Sequence, residues 1–311
     1  MKNSSFWRIA SAVFAVGSII YTATSSRNAR AQGQQMQEAE TEPDYDVPAQ
    51  YQQVFDKNLI IPAGWTFGAV WSTVYTGLGA LMVHQALNSQ RFNPRYQKAL
   101  PWWAASWTLN AIFGKFFSQN DEQSILISDA TTKANLAAAL GLHQALEIGE
   151  TEVTGPEKYL RIPVSLYTGW LTAATVVGTP DSLLTAGLWE RNNERDVPLS
   201  AGILGATAGV GYAVARKLND PWYMVPFVAG FSGIATRQWH RNPVVGITAA
   251  GLAAVYAGLL AYWLPKGTFR PYKTLIIHDA ELLAGPVETD DPHQAAIARE
   301  RMTPIEAESL D

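Results

Sequence analysis

Eight stretches of the chain are mostly apolar over nearly the length that a helix needs to cross a bilayer. They run at 7–24, 65–87, 100–118, 129–148, 161–179, 200–216, 221–237 and 244–263, the sixth and seventh being short. A hydrocarbon core about 30 Å thick takes roughly 20 residues of helix. Backbone polar groups in lipid must bond within the spanning element, which leaves helices and closed barrels. No apolar/polar alternation at strand length argues for a barrel. The expected fold is therefore an all-α integral membrane protein, multi-pass, in contact with the lipid bilayer.

Composition agrees. Of the 311 residues, 48% are hydrophobic and 16% charged, against about 25% charged in an ordinary soluble domain. Eleven tryptophans and twenty-four glycines suit membrane helices, where glycine is common and tryptophan gathers near interfaces. The mean hydropathy of -0.03 is an average lowered by two polar regions, 25–58 and 264–311. A net charge of -4 gives no sign of a nucleic-acid partner. Without cysteine, disulfides, thiolate metal sites and thiol catalysis are excluded.

The first stretch has two readings. Lys2 and Arg8 precede the run IASAVFAVGSIIY, and Ala29-Arg30-Ala31 follows, which is the pattern of a cleaved signal peptide. That site lies well past the apolar run, behind the polar TSSRN, so a retained first helix is favoured. With a cytoplasmic N-terminus, three basic clusters fall inside, as the positive-inside bias requires. They are Arg91, Arg95 and Lys98; Arg216 and Lys217; and Lys266, Arg270 and Lys273. Arg237 and Arg241 would face out and dissent. Residues 25–58 form an outer loop, and 292–309 a short surface helix in the polar tail.

Within the second stretch, Phe67, Trp71 and Tyr75 recur every four residues. A helix turns about 100° per residue, so these rings share one stripe. Gly64 and Gly68 stand at small-xxx-small spacing, and Gly77 and Gly79 follow, small residues that admit a neighbouring helix. In PWWAASWTLNAIFGKFF, Trp103, Trp107, Asn110 and Gly114 share a face. An amide at membrane depth must find a partner, so Asn110 points into the bundle or at a ligand. In YLRIPVSLYTGWLTAATVVGT, Tyr167, Trp170 and Ala174 share a face, beside the small residues Gly169, Ala173 and Gly178. Two roles are open for these rings: they wall a cleft, or they fill helix interfaces and face lipid.

Three blocks, IPAGWTFGAVWSTVY, SWTLNAIFGKFF and LRIPVSLYTGWLTAAT, resemble in order and spacing the signature blocks of the TspO/MBR family. These are the tryptophan-rich sensory proteins, relatives of the mitochondrial translocator protein, or peripheral benzodiazepine receptor. NSQRFNP at 88–94 looks like the basic turn of longer members. The resemblance covers residues 1–180 and implies a five-helix bundle, often a homodimer. The cavity of such a bundle binds porphyrin, haem or other apolar ligands for sensing, regulation or transport. By motif position, Trp71 looks like the cavity tryptophan of the second helix, with Tyr75 one turn on. Asn110 looks like the asparagine of the third-helix block, and Trp170 like the tryptophan facing Trp71. The ligand-binding set expected is thus Phe67, Trp71, Tyr75, Trp107, Asn110, Tyr167, Trp170 and Ala174, with no required cofactor. Two departures stand out. Only Pro62 remains of the family's Trp-x-Pro-Pro pattern, and the asparagine that closes the fifth-helix block is absent.

The expected organisation is a TspO-like domain at 1–180, about three further transmembrane helices within 181–264, and a polar tail at 265–311. A bacterial inner membrane is the expected location. His84 and His143, the histidines on core helices, stand in no metal-ligand pattern and read as packing residues. No helix carries paired acids at its centre, as a proton-coupled pump would. GILGATAGVGYA follows no strand and reads as helix packing. No catalytic set is visible. Two other functions remain: light-dependent porphyrin degradation, which the resemblance implies for some members, and a structural role in a membrane complex.

Overall fold

The computed structural model describes residues 57–276 except 118 and 120, together with Ala10, Val13 and Gly17. Those last three are helical. The rest of the first predicted helix, the outer loop up to residue 56 and the tail helix at 292–309 lie outside the described residues. Seven longer helices follow one another: α1 (Gly64–Ala86), α2 (Pro94–Phe117), α3 (Glu122–Ala145), then, after the short α4 (Pro156–Leu160), α5 (Ile162–Thr185), α6 (Asn193–Leu218), α7 (Val225–Gln238) and α8 (Pro243–Trp263). Each of the seven predicted stretches from 65 to 263 coincides with one of them. Two three-residue strands, β1 (Thr151–Val153) and β2 (Thr274–Ile276), pair in parallel at one end of the bundle.

α2 packs along α3, α3 along α5, α7 along α8 and α6 along α8, while α5 also meets α1 and α7. Two apolar cores result. One is built from α1, α2, α3 and α5 around Val74, Trp103, Leu142 and Val164. The other joins α6, α7 and α8 around Phe227, Phe231, Ala249 and Tyr256, with Leu59 and Ile60 reaching in from ahead of α1. Among the described residues, three helical stretches are long and apolar enough to cross a membrane: Gly64–Ala86, Glu194–Leu218 and Pro243–Lys266. α7 is shorter, with 14 residues. α2, α3 and α5 have the length but carry inward-facing polar groups. Ser106, Asn110, Ser128, Asn135 and Thr168 are all buried, so their average hydropathy falls although those groups are hidden from lipid.

Three helices run past their expected ends at 100, 179 and 200. Pro101 lies inside α2, Pro180 inside α5 and Pro198 inside α6. A proline removes one i→i−4 bond and crowds the preceding turn, yet packing on the neighbouring helices holds the segment helical. α3 also starts seven residues earlier than predicted, because Asp121 caps it. The Asp121 carboxylate accepts from Ser124 Oγ at 2.6 Å and from Ser124 N at 2.8 Å, and these bonds, the hydroxyl's first, hold its pKa below the usual carboxylate value.

Of the small residues expected to admit a neighbouring helix, Gly77 rather than Gly68 marks the close approach of α1. Gly68 has nothing within 4 Å of where a Cβ would stand, whereas a Cβ at Gly77 would lie 2.2 Å from Pro163 Cγ. Nine residues at about 100° each put Gly77 roughly opposite Gly68. Two basic residues assigned to loops are buried as well. Arg95 (1% exposed) forms a two-point ion pair with Glu157 of α4, Nε–Oε1 and Nη2–Oε2 both 2.8 Å, and Asn93 Nδ2 donates to Glu157 Oε2 at 3.0 Å. Arg237, at the end of α7, is also buried. Arg95 thus serves to dock α4 on the start of α2.

Candidate functional site: an aromatic cleft between α1, α2 and α5

α1 and α2 make almost no close backbone approach; side chains bridge the space between them. The four-residue stripe of α1 occupies it, with Phe67, Trp71 and Tyr75 half-buried. Trp71 stacks on Tyr75 (centroids 4.8 Å, 17° between planes) and meets α5 edge-on at Trp170 (6.2 Å, 84°) and Tyr167 (6.1 Å). Phe67 lies edge-on to Trp170 at 5.7 Å, and Tyr75 is 6.1 Å from Trp107 of α2, which stacks on Trp103. The structure therefore brings seven of the eight expected residues into one cluster, with the rings resting on one another. For Ala174 it shows only a half-buried position one turn past Trp170 on α5.

Asn110 sits at the inner end of this cluster, 3% exposed. Tyr75 OH donates to its Oδ1 at 3.2 Å, and its Nδ2 donates to Ser106 O at 3.0 Å and Tyr167 OH at 2.8 Å. Ser106 Oγ donates to Asn135 Oδ1 of α3 at 2.9 Å, which leaves Tyr167 OH to donate to Ser106 Oγ, also at 2.9 Å. The hydroxyls and amides thus run in one direction across α1, α2, α5 and α3, each donor used, and such chains reinforce themselves in a low dielectric. Sequence reasoning found Asn110, Tyr75 and Tyr167 but missed Ser106 and Asn135. Ser106 stands one turn before Asn110, and Asn135 is an amide in mid-helix, the same signal that singled out Asn110.

The indoles differ in one respect. Trp103 Nε1 donates to Gln85 Oε1 at 2.9 Å. Trp107 Nε1 and Trp170 Nε1 are buried and have no acceptor among the described residues. A buried donor left unpaired costs about 1–3 kcal/mol, so two of them beside one aromatic cluster mark a place where an acceptor is wanted.

The two histidines of the core helices have polar partners. His84 Nδ1 lies 2.8 Å from Tyr96 OH, and His143 Nε2 lies 2.9 Å from Asp220 Oδ2. No single helix among the described residues carries paired acids at its centre, but two acids on neighbouring helices approach each other. Asp129 of α3 and Asp181 of α5 come together from different helices, which no spacing within one helix reveals. A surface depression of about 490 Å³ at the β1–α4 turn, lined by Glu152, Lys158 and Tyr159 among others, contains none of the cleft residues.

The family model described as "TSPO-like protein" matches residues 10–262. The chain belongs to the TSPO-like protein family. The match agrees with the resemblance of the three helical blocks. It also continues past residue 180 through α6, α7 and α8, so these helices fall inside the TSPO-like region. No curated protein and no solved structure matches the chain. The family, with three helices long and apolar enough to cross a bilayer, makes this a membrane protein of the TspO class.

Proposed function

We propose that this TSPO-like protein binds a flat, largely apolar ligand of the tetrapyrrole class, porphyrin or haem, in the cleft between α1, α2 and α5, for sensing, regulation or transport. The observation that carries the reading is the pair of unpaired, buried indole N–H groups of Trp107 and Trp170 within a cluster of six aromatic side chains. Ring faces offer apolar contact to a flat ligand, and the two N–H groups offer donors to a carboxylate or other acceptor on its edge. The half-buried stripe of Phe67, Trp71 and Tyr75, on a helix that barely approaches α2, is the side that would yield to let a ligand between them. With this goes a topology of eight spanning helices, five of the TspO kind and three more, in a multi-pass arrangement. The test is a titration of the purified, detergent-solubilised protein with protoporphyrin in the dark, followed by tryptophan quenching and porphyrin absorbance. Saturable binding is expected; quenching that never saturates would leave the rings as packing alone.

A further inference from the structure

α6 and α8 end beside each other, where the Arg216 guanidinium meets the Trp263 ring. Both belong to stretches long and apolar enough to cross a bilayer, Glu194–Leu218 and Pro243–Lys266. Four exposed cations gather there: Arg216 and Lys217 in the last turn of α6, Lys266 just past α8, and Arg270 in the segment that follows. The side chain of Asn219, which closes α6, accepts from Arg270 N at 2.7 Å and donates through Nδ2 to Arg270 O at 3.0 Å. This two-way bond seats the segment after α8 on the end of α6. Cations distant in sequence thus share one surface.

Aromatic rings hold two of the cations in place. Lys266 Nζ lies 3.5 Å from the centre of the Tyr262 ring and 4.9 Å from that of Trp263. The Arg216 guanidinium lies 5.6 Å from Trp263 and 5.3 Å from Phe269, two rings that touch at 4.8 Å. A ring face attracts a cation through its quadrupole but carries no net charge. The positive charges are therefore positioned without being cancelled. Arg270 Nη2 donates to the carbonyls of Arg216 and Lys217 at 3.3 and 3.2 Å, which fixes a third cation over the end of α6. Three acids at this end are engaged elsewhere: Glu147 with Lys98, Glu150 with Lys273 and Asp220 with His143. Among the described residues no carboxylate pairs with Arg216, Lys217, Lys266 or Arg270.

We infer that this surface binds the headgroup of an anionic phospholipid in the adjoining leaflet, with the lipid phosphate set among Arg216, Lys217, Lys266 and Arg270. Two spanning stretches end here, which puts the four cations at the depth of the headgroups. Tyr262, 59% exposed, and the half-buried Trp263 lie at the same level, where amphipathic rings form the aromatic belts of membrane proteins. Clustered Lys and Arg beside a spanning helix attract anionic lipid. Guanidinium groups suit phosphate because paired N–H donors meet two of its oxygens. The inference needs α6 and α8 to span the bilayer and uses nothing of the aromatic cleft.

The probe is phosphatidylglycerol, set against phosphatidylcholine with the same acyl chains, each added in steps to the full chain in uncharged detergent. Melting is followed by tryptophan fluorescence. A ligand that binds only the folded state raises the melting temperature with its concentration. Phosphatidylglycerol should raise that of the native protein more than phosphatidylcholine does. The difference should shrink from about 0.1 M to about 1 M salt, as the screening length falls from about 10 Å to about 3 Å. Lys217→Gln combined with Lys266→Gln removes two exposed ammonium groups, should leave the fold intact and should lose most of the difference. Lys273→Gln, an exposed cation already paired with Glu150, should keep it. Equal shifts from the two lipids, a full difference in the double variant or an equal loss in Lys273→Gln overturns the site. So does a rise reproduced by inorganic phosphate at equal ionic strength, which would make the ligand a free anion. A native protein indifferent to phosphatidylglycerol overturns it too; a double variant that then melts lower without lipid would assign the surface to the chain's own acids, Asp279, Glu281, Glu288, Asp290 and Asp291. Spanning is read separately, from retention of the chain in membranes after an alkaline wash; release would overturn the premise and with it the site. No ligand of the cleft enters either measurement, so the tetrapyrrole reading stands or falls apart from them.

Discussion

Asn110 joins three helices through one amide, accepting from Tyr75 on α1 and donating to its own helix and to Tyr167 on α5. Leucine at this position would keep the volume but strand the Tyr75 hydroxyl, whose partner it is, and remove one donor from Tyr167. Asn110→Leu is expected to destabilise the protein by about 1–3 kcal/mol, measured by denaturation in detergent. Adding Tyr75→Phe should recover part of the loss, because it removes the stranded group. If the double variant is as unstable as the sum of the singles, the hydroxyl is not what Asn110 serves. The cleft was largely legible at this scale. Phe67, Trp71 and Tyr75 announce themselves by a four-residue recurrence, and Asn110 by its polarity in an apolar run. Asp129 and Asp181 were not legible as a pair, since their proximity depends on the register of α3 against α5 at Gly178 and Ser182.

At the scale of the element, α1 shows how a helix chooses its contact face. Gly77 receives Pro163 of α5, while Gly68 faces open space. A methyl at Gly77 cannot be housed without moving Pro163 in the first turn of α5. Gly77→Ala is therefore expected to destabilise by about 1–3 kcal/mol and to disturb the cleft, seen as an altered tryptophan emission. Gly68→Ala should be neutral or slightly stabilising, since alanine is the better helix former. Equal effects at the two sites would contradict the packing. The central stretches of the helices were visible from apolar runs alone, but their ends were not. Pro101, Pro180 and Pro198 would break isolated helices; here the surrounding bundle overrides that local preference. The early start of α3 had a readable signal, Asp121 three residues before Ser124, hidden behind a polar first turn that did not look like membrane helix.

Across the whole molecule, one end is clasped by polar contacts while the rest is held by the two apolar cores. There Lys98 of α2 donates to Glu147 Oε1 at 2.9 Å, and Thr151 of β1 donates to Glu147 Oε2 at 2.9 Å. Burial pushes the Glu147 carboxyl up, but the bonds from Lys98 and Thr151 and the Lys98 charge outweigh this, and its pKa lies below the usual value of 4.5. A carboxylate depressed in the folded state adds stability above its unfolded pKa and loses it as pH falls through the folded one. Native protein should thus lose part of its stability below about pH 4.5, and Lys98→Met should show a shallower loss over the same window. An unchanged acid limb would remove Glu147 from the account of that clasp. The family match through residue 262 ties both cores to one TSPO-like protein, and the cleft lies in the first of them. The most direct measurement of its role is the dissociation constant for protoporphyrin in the dark, taken side by side for native protein, Trp71→Phe and Trp170→Phe. Loss of the unpaired Trp170 N–H should weaken binding by roughly 3–10-fold, the worth of one hydrogen bond. Loss of the larger Trp71 ring face should weaken it as well, with both variants still folded. Affinity unchanged in both folded variants would contradict a ligand seated between α1, α2 and α5.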